Sequence, residues 1–397
     1  MSLDRGKKIF DWTQPLKEFF HTLGNGRIIF IALILFHFLL GAFIPPLLTS
    51  DFKRNLFYGK AFWKYGFEVY DMRPINITGT EYNITDPLTG LPSYPNTTYD
   101  YPTIQLIFWA IVSLLPYPEI LAKWILSIFD IMNINFMIIL LLQRQKENFY
   151  PSNFEKLFIF SYLLTSIPFS AIEGQGTSIT IFFLLLPVII HRKNIVLGYF
   201  SIGIGFHWKY ISFLILPYLV CKDRNEYRTI IIGIFALILA IILLSIPPLS
   251  VSLFVLRYFG FFGKLGEYSG QTISNPLLIT HLSISSILST FILILTVFYW
   301  LGGKISKEGI NFELNQAKSI LDRGYWIPFL LLLSFLKIYS TAFPWYWMWF
   351  FPCITILPRV ERKNFFILLL VTFIIGLIDF IDITVGFGDF LDYLNRQ

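Results

Sequence analysis

A few polar side chains sit in an apolar background where they could do chemistry. Asp51 directly follows a long apolar stretch, and its carboxylate could take up a proton. "EGQGTS" (173–178) offers Glu173 and Gln175 between two apolar runs. "GIGFHWKYISFLI" (203–215) places His207 and Lys209 inside an apolar run from Ile195 to Val220, where cations could hold an anion. The stretch 251–275 adds Arg257 and Asn275, and Asp130 falls in the middle of "SIFDIMNIN". An ionisable residue in such surroundings is costly unless it faces water, a partner or a substrate. Each group also has a plainer reading. Asp51 could be the solvated residue after a span, Lys209 could snorkel to an interface, and Glu173 and Gln175 could be turn residues. Asp130 needs a partner or a cavity.

The elements that must position these residues are membrane helices. The 397 residues are 55% hydrophobic and 14% charged, against about one quarter charged in a soluble domain. Apolar runs near the bilayer-spanning length of about 20 residues recur along the chain. Eleven spans are expected at 28–48, 119–142, 157–172, 177–190, 195–206, 210–220, 229–249, 283–301, 326–343, 345–358 and 365–384, several of them short. The charged opening "MSLDRGKK" and the long run after it are not expected to form a cleaved signal. Cys221 and Cys353 make no disulfide framework. The net charge of +6 reflects basic loops rather than an anionic partner.

With the N-terminus (1–27) inside, 20 of the 31 Lys and Arg fall in segments facing the cytoplasm, as positive residues do. The Asn-X-Thr sequons at Asn76, Asn83 and Asn96 then all lie in the first outer loop (49–118), on the side where glycans are added. A second outer loop covers 250–282, and a short tail (385–397) is also outside. In the first loop, "DFKRNLFYGKAFWKYGFEVYD" shows Leu56, Phe57, Ala61 and Phe62 on one helical face, which predicts an amphipathic helix along the outer leaflet. "YDYPTIQLIFWAIVSLLPYP", with a core of about 14 residues, predicts a re-entrant or juxtamembrane helix. Segments 195–206 and 210–220 predict a hairpin whose apex, "HWK", floors a wet cavity. The alternative is one long span carrying a buried cation. "PWYWMWFF" (344–351) reads as an interfacial belt or, alternatively, as a cavity lining.

The order of these segments carries a resemblance. "DFKRNLFYGKAFWKYGFEVYD", "YDYPTIQLIFWAIVSLLP", Asp130, "EGQGTSITIFFLLL" and "GIGFHWKYISFLILP", with looser support from "SNPLL" and "FPWYWMWFFP", resemble the GT-C membrane glycosyltransferases that use polyprenyl-phosphate sugars. Within that superfamily the chain is similar to the catalytic subunit of GPI mannosyltransferase I and to prokaryotic polyprenyl-phosphate-mannose mannosyltransferases. The resemblance implies an all-α polytopic membrane protein of GT-C fold, with one transmembrane domain over 28–384. It also implies a catalytic base at the start of the first outer loop, here Asp51. The GPI enzyme carries two acids in a D-x-D pattern. Asp51-Phe52-Lys53 keeps the first alone, as in the prokaryotic pattern.

The implied reaction moves a sugar, with mannose favoured, from a dolichyl- or polyprenyl-phosphate donor to a hydroxyl of a glycolipid or glycan. It needs a base near the acceptor and cations near the departing phosphate. A single displacement inverts the anomeric carbon, so one carboxylate suffices. Asp51 is thus the expected base, and His207, Lys209 and Arg257 are expected at the donor phosphate. Glu173, Gln175, Asn275, Tyr101 and Asp130 are expected at the sugar or acceptor. The site would face outward in an archaeal plasma membrane, or in the ER lumen of a eukaryote, and a small membrane subunit is a candidate partner. No cofactor is expected: no His or Cys cluster has metal-ligand spacing, and phosphate-binding Gly patterns and nucleic-acid motifs are absent. The competing class is a transporter or flippase, which would also bury Asp130, His207 and Lys209 but predicts inverted repeats. A non-catalytic scaffold would tolerate neutral replacements of Asp51 and Lys209.

Overall fold

The computed structural model describes residues 14–47, 51–77, 82–85, 98–99, 101–142, 151–246, 303–306, 309–312, 324–338, 344–357, 362–363 and 365–367, with positions 294, 297 and 370. The chain is a helical membrane protein. Among the described residues, four helical stretches are long and apolar enough to cross a bilayer: Gly26–Phe43, Pro118–Leu142, Asn153–Ile172 and Tyr227–Ser245. They belong to α2 (Gly26–Phe43), α5 (Pro118–Leu142), α6 (Asn153–Ser166, continued by a π-helical turn Ile167–Ile172) and α10 (Tyr227–Ser245). Shorter helices fill the frame: α1 (Gln14–Thr22), α3 (Asp51–Tyr65), α4 (Thr103–Ser113), α7 (Thr177–His191), α8 (Ile195–Phe206), α9 (Leu216–Lys222), α11 (Ile327–Ile338) and α12 (Phe350–Ile356). The expected spans 283–301 and 365–384 lie almost wholly outside the described residues.

Local chemistry sets several boundaries. Ser152 and Glu155 form a reciprocal cap at the start of α6, with Glu155 N donating to Ser152 Oγ (3.3 Å) and Ser152 N to Glu155 Oε2 (2.8 Å). Asn194 Oδ1 accepts from Leu197 N (3.1 Å) and starts α8. α8 and α10 touch closely because Gly203 faces the Leu237 carbonyl and Gly233 faces the Tyr199 ring, the small-residue packing common between membrane helices. The outward faces of α2 and α10 expose Ile28, Leu35, Phe43, Ile231, Phe235 and Leu243, as a lipid-facing surface requires.

The turns expected on one side of the membrane are joined in pairs. Lys156 Nζ donates to the Thr22 carbonyl (2.8 Å), and the buried Arg362 meets Glu155 (3.6 Å). Asp223 Oδ2 accepts from His191 Nε2 (2.6 Å) and from the Tyr199 hydroxyl (3.0 Å). The segment after α9 thus returns to the α7–α8 turn, and the chain reverses between α8 and α9 at residues 207–209. The hairpin, not the single long span, is the observed form.

Three expectations need correction. First, α3 is not simply laid along a leaflet: Phe52, Arg54, Asn55 and Tyr58 are buried as well as Leu56, Phe57 and Ala61. α4 covers one side of it so tightly that Gly59 lies on the Trp109 backbone, and Val69, Ile77, Ile84 and Tyr99 cover another. Second, the N-terminal segment 1–27 carries a helix that was not expected there: α1 sends Phe19 into the main core with Phe30. Third, the loop 302–325 contains an antiparallel hairpin, β1 (Gly303–Ser306) and β2 (Gly309–Phe312), with Ser306 opposite Gly309.

Candidate functional site

The site is built at the end of the bundle where α2 stops. Pro45 and Pro46 follow Phe43 and Ile44 and bring no N–H donors to continue the helix. Two charged residues hold the departing chain instead. Lys123 Nζ donates to the Ile44 carbonyl (2.6 Å), and Glu173 Oε1 accepts from Leu47 N (2.8 Å). Both are nearly inaccessible. They hold the chain at Ile44 and Leu47, and Asp51 opens α3 half-buried, at a helix N-terminus that suits an acid. Nearby, Arg54 Nη2 donates to the Thr98 carbonyl (3.1 Å). Burial holds the Tyr82 hydroxyl above the usual tyrosine range, with Arg54 opposing that rise and Asp51 adding to it.

The 173–178 turn is gripped from both sides. Gly174 has φ +64°, and a Cβ there would strike the Phe52 ring, the residue beside Asp51. A Cβ on Gly176 would come within 2.7 Å of the Trp208 ring, the residue between His207 and Lys209. Trp208 Nε1 donates to the Gly176 carbonyl (3.2 Å) and to Thr180 Oγ1 (3.1 Å). Inside the turn, Glu173 N donates to the Pro168 carbonyl and Gln175 N to the Phe169 carbonyl. The turn is therefore a rigid spacer between the Asp51 and Lys209 segments.

At the HWK turn the two basic residues have different surroundings. His207 is fully buried, and its Nε2 faces the Ile241 carbonyl of α10 at 2.9 Å, where N–H donation is the one bonding arrangement. Its own carbonyl accepts from Ile104 N (2.9 Å) and Gln105 N (3.3 Å), capping α4. Lys209, in extended backbone at φ −155°, reaches into a box of aromatic faces. Its Nζ stands 5.7 Å from the Tyr101 ring, 5.6 Å from Tyr346 and 5.1 Å from Trp349, all within cation–π range. Tyr346 and Trp349 lie against each other at 4.4 Å.

Asp51, Glu173, Gln175, Tyr101, His207 and Lys209 thus gather at one end of the bundle. Arg257 and Asn275 lie outside the described residues, as does Asn96, while Asn76 and Asn83 are exposed. Two assignments change. His207 cannot meet a phosphate as a solvated cation, because its ring is enclosed and Nε2 is spent on a backbone carbonyl. Asp130 does not face the sugar site: it is fully buried in α5, and Oδ1 accepts from the Tyr162 hydroxyl (2.6 Å). The aromatic run 344–351 is no interfacial belt, since Trp347, Met348, Trp349, Phe350 and Phe351 are core residues. Sequence reading passed over Phe52, Trp208, Tyr346 and Trp349, aromatic types common in any membrane helix, and Lys123, an ionisable residue within an expected span whose cost was itself a signal.

Among the described residues no group of three or more His, Cys, Asp or Glu could hold a metal ion. No protein family, curated protein or solved structure matches the chain.

Proposed function

We propose that the chain is an inverting glycosyltransferase of GT-C type that moves a sugar, with mannose favoured, from a polyprenyl- or dolichyl-phosphate donor to a hydroxyl of a glycolipid or glycan on the outer face of the membrane. The observation that carries this reading is the placement of Asp51 and Lys209 on segments locked to opposite sides of the glycine-bearing 173–178 turn. In the proposed reaction Asp51 takes the acceptor proton as the oxygen forms its bond to the anomeric carbon. The bond from that carbon to the phosphate oxygen breaks, and the polyprenyl phosphate departs with the electron pair, its charge met by the Lys209 ammonium. Tyr101, Tyr346 and Trp349 turn their rings towards that ammonium within cation–π range. His207 is a positioning residue that ties the turn to α10 and α4.

The second reading, a transporter or flippase, draws on Asp130, a carboxylate buried within a span with His37 Nε2 3.9 Å away. The experiment that separates the two is sugar transfer by purified protein in liposomes. Transfer from mannosyl-phosphoryl-dolichol that Asp51→Asn abolishes supports the enzyme. Movement of a lipid-linked sugar between leaflets without transfer supports the carrier.

A further inference from the structure

The Asn-X-Thr sequons take no part in the reaction proposed above, and one of them, Asn83-Ile84-Thr85, lies wholly within the described residues. Burial alternates along 82–85. Tyr82 is half-buried and Ile84 buried, whereas Asn83 and Thr85 are exposed. The two inward side chains join the core cluster of Phe57 and Tyr58 on α3, where the Tyr82 and Phe57 rings meet at 5.0 Å. The segment is therefore pinned to α3 by Tyr82 and Ile84, with the Asn83 amide and the Thr85 hydroxyl both open to solvent. A glycan is bulky and polar and needs such a surface position. Asn76 is exposed as well, but its sequon partner Thr78 lies outside the described residues.

The second requirement is the side of the membrane. α2 has 18 residues and spans about 27 Å, close to the thickness of a bilayer core. Before it, Lys156 reaches the Thr22 carbonyl. After it, Lys123 and Glu173 hold Ile44 and Leu47, and the Phe52 ring of α3 packs on Gly174. α7 runs from the 173–178 turn back to the first end, where His191 meets Asp223. The turns and helix ends there carry Lys156, Arg192, Lys193, Lys222, Arg224 and Arg228. The turns at 173–178 and 207–209 carry one Lys or Arg between them, Lys209. Basic residues in short loops mark the cytoplasmic side, which sets α3 and the segment pinned to it on the other.

We propose that Asn83 is an acceptor for an N-linked glycan on the extracytoplasmic side of the membrane. In that modification a separate oligosaccharyltransferase joins the Asn83 amide nitrogen to the anomeric carbon of a lipid-linked oligosaccharide. The bond from that carbon to the donor's phosphate oxygen breaks, the electron pair leaves with the phosphate, and the amide gives up one proton. The inference does not depend on the reaction the chain itself performs.

The test is translation of the full-length chain in the presence of endoplasmic reticulum microsomes, which supply the oligosaccharyltransferase and its donor. A chain with Asn76→Gln and Asn96→Gln keeps Asn83 as its one sequon. It should run one discrete step slower in electrophoresis, and endoglycosidase H should reverse the step. Adding Thr85→Ala, which breaks the sequon, should abolish it. A separate measurement reads the side directly. In a Cys221→Ser, Cys353→Ala background, which holds no other cysteine, Asn83→Cys should react with a membrane-impermeant maleimide only after detergent opens the microsomes. An unmodified Asn83 in the single-sequon chain overturns the proposal. Labelling of Asn83→Cys in sealed microsomes overturns it as well, because it sets the residue on the cytoplasmic side.

Discussion

The Phe52 ring occupies the space where a Cβ on Gly174 would stand. That contact ties the segment after Asp51 to the 173–178 turn, and its counterpart between Trp208 and Gly176 ties the same turn to Lys209. Gly174→Ala meets two penalties. The left-handed backbone costs about 1–2 kcal/mol for a residue with a Cβ, and overpacking costs about 1–3 kcal/mol more. Thermal unfolding in detergent should show the larger loss for Gly174→Ala and a smaller one for Gly176→Ala, whose backbone is unstrained. Phe52→Leu should recover part of the Gly174→Ala loss, because the two sites share one contact.

The aromatic box around Lys209 should matter to donor binding as well as to stability, since Trp349 is also a core residue. Lys209→Met removes the ammonium and should raise the donor KM by about tenfold or more, a change of roughly 1.4 kcal/mol. Trp349→Leu removes the nearest ring, worth about 0.5–2 kcal/mol in cation–π attraction, and should raise the donor KM several-fold with kcat less affected. Equal donor KM values in wild type and Trp349→Leu would remove the box from the site.

His207 should behave as a structural donor. His207→Ala leaves the Ile241 carbonyl and an enclosed space unfilled, and should cost about 1–3 kcal/mol in unfolding measurements. His207→Gln, which keeps an N–H donor, should retain most of the transfer activity. A thousandfold loss of kcat in a stably folded His207→Gln would restore the imidazole to the chemistry.

At the opposite end, the His191–Asp223 contact sets a pH dependence. Burial, with Lys222 beside it and against the pull of Asp223, holds His191 below the usual histidine range. The geometry agrees: Nε2 meets Asp223, while Lys222 Nζ stands 3.3 Å from Nδ1, which must then accept. The unfolded chain therefore takes up a proton as the pH falls through about 6.5, while the folded chain refuses it. Stability should fall from pH 7.5 to 5.5, and His191→Asn should flatten that slope in a series of unfolding curves.

The helical bundle was legible because apolar runs of spanning length have few other uses, and Asp51, the 173–178 turn and the HWK turn stood out as polar residues in that setting. The α8–α9 reversal was legible too, since one long span would have sent Lys222, Arg224 and Arg228 to the outer side of the expected topology. Burial within the bundle was not. Nothing in "SIFDIMNIN" says that Tyr162 and Asn133 will enclose Asp130, and nothing in "HWK" says that the histidine turns to Ile241 while the lysine turns to the rings. An aromatic run looks the same in sequence whether it meets headgroups or a lysine, so Tyr346 and Trp349 emerged from packing alone. The hairpin of Gly303–Ser306 and Gly309–Phe312 was missed because each strand is only four residues long, too short for the alternation of Ile310 and Phe312 to stand out.

The most direct measurement is transfer of radiolabelled mannose from mannosyl-phosphoryl-dolichol to a membrane-lipid extract by the purified protein in liposomes. Wild type would be run beside Asp51→Asn and Lys209→Ala, with folding checked by thermal unfolding. The expected result is transfer by wild type, loss of it in stably folded Asp51→Asn, and restoration of part of the Lys209→Ala rate at high donor concentration. Transfer that survives Asp51→Asn at the wild-type rate would contradict the assignment of Asp51 as base. A wild-type protein that neither binds nor consumes a prenyl-phosphate sugar would contradict the glycosyltransferase reading itself.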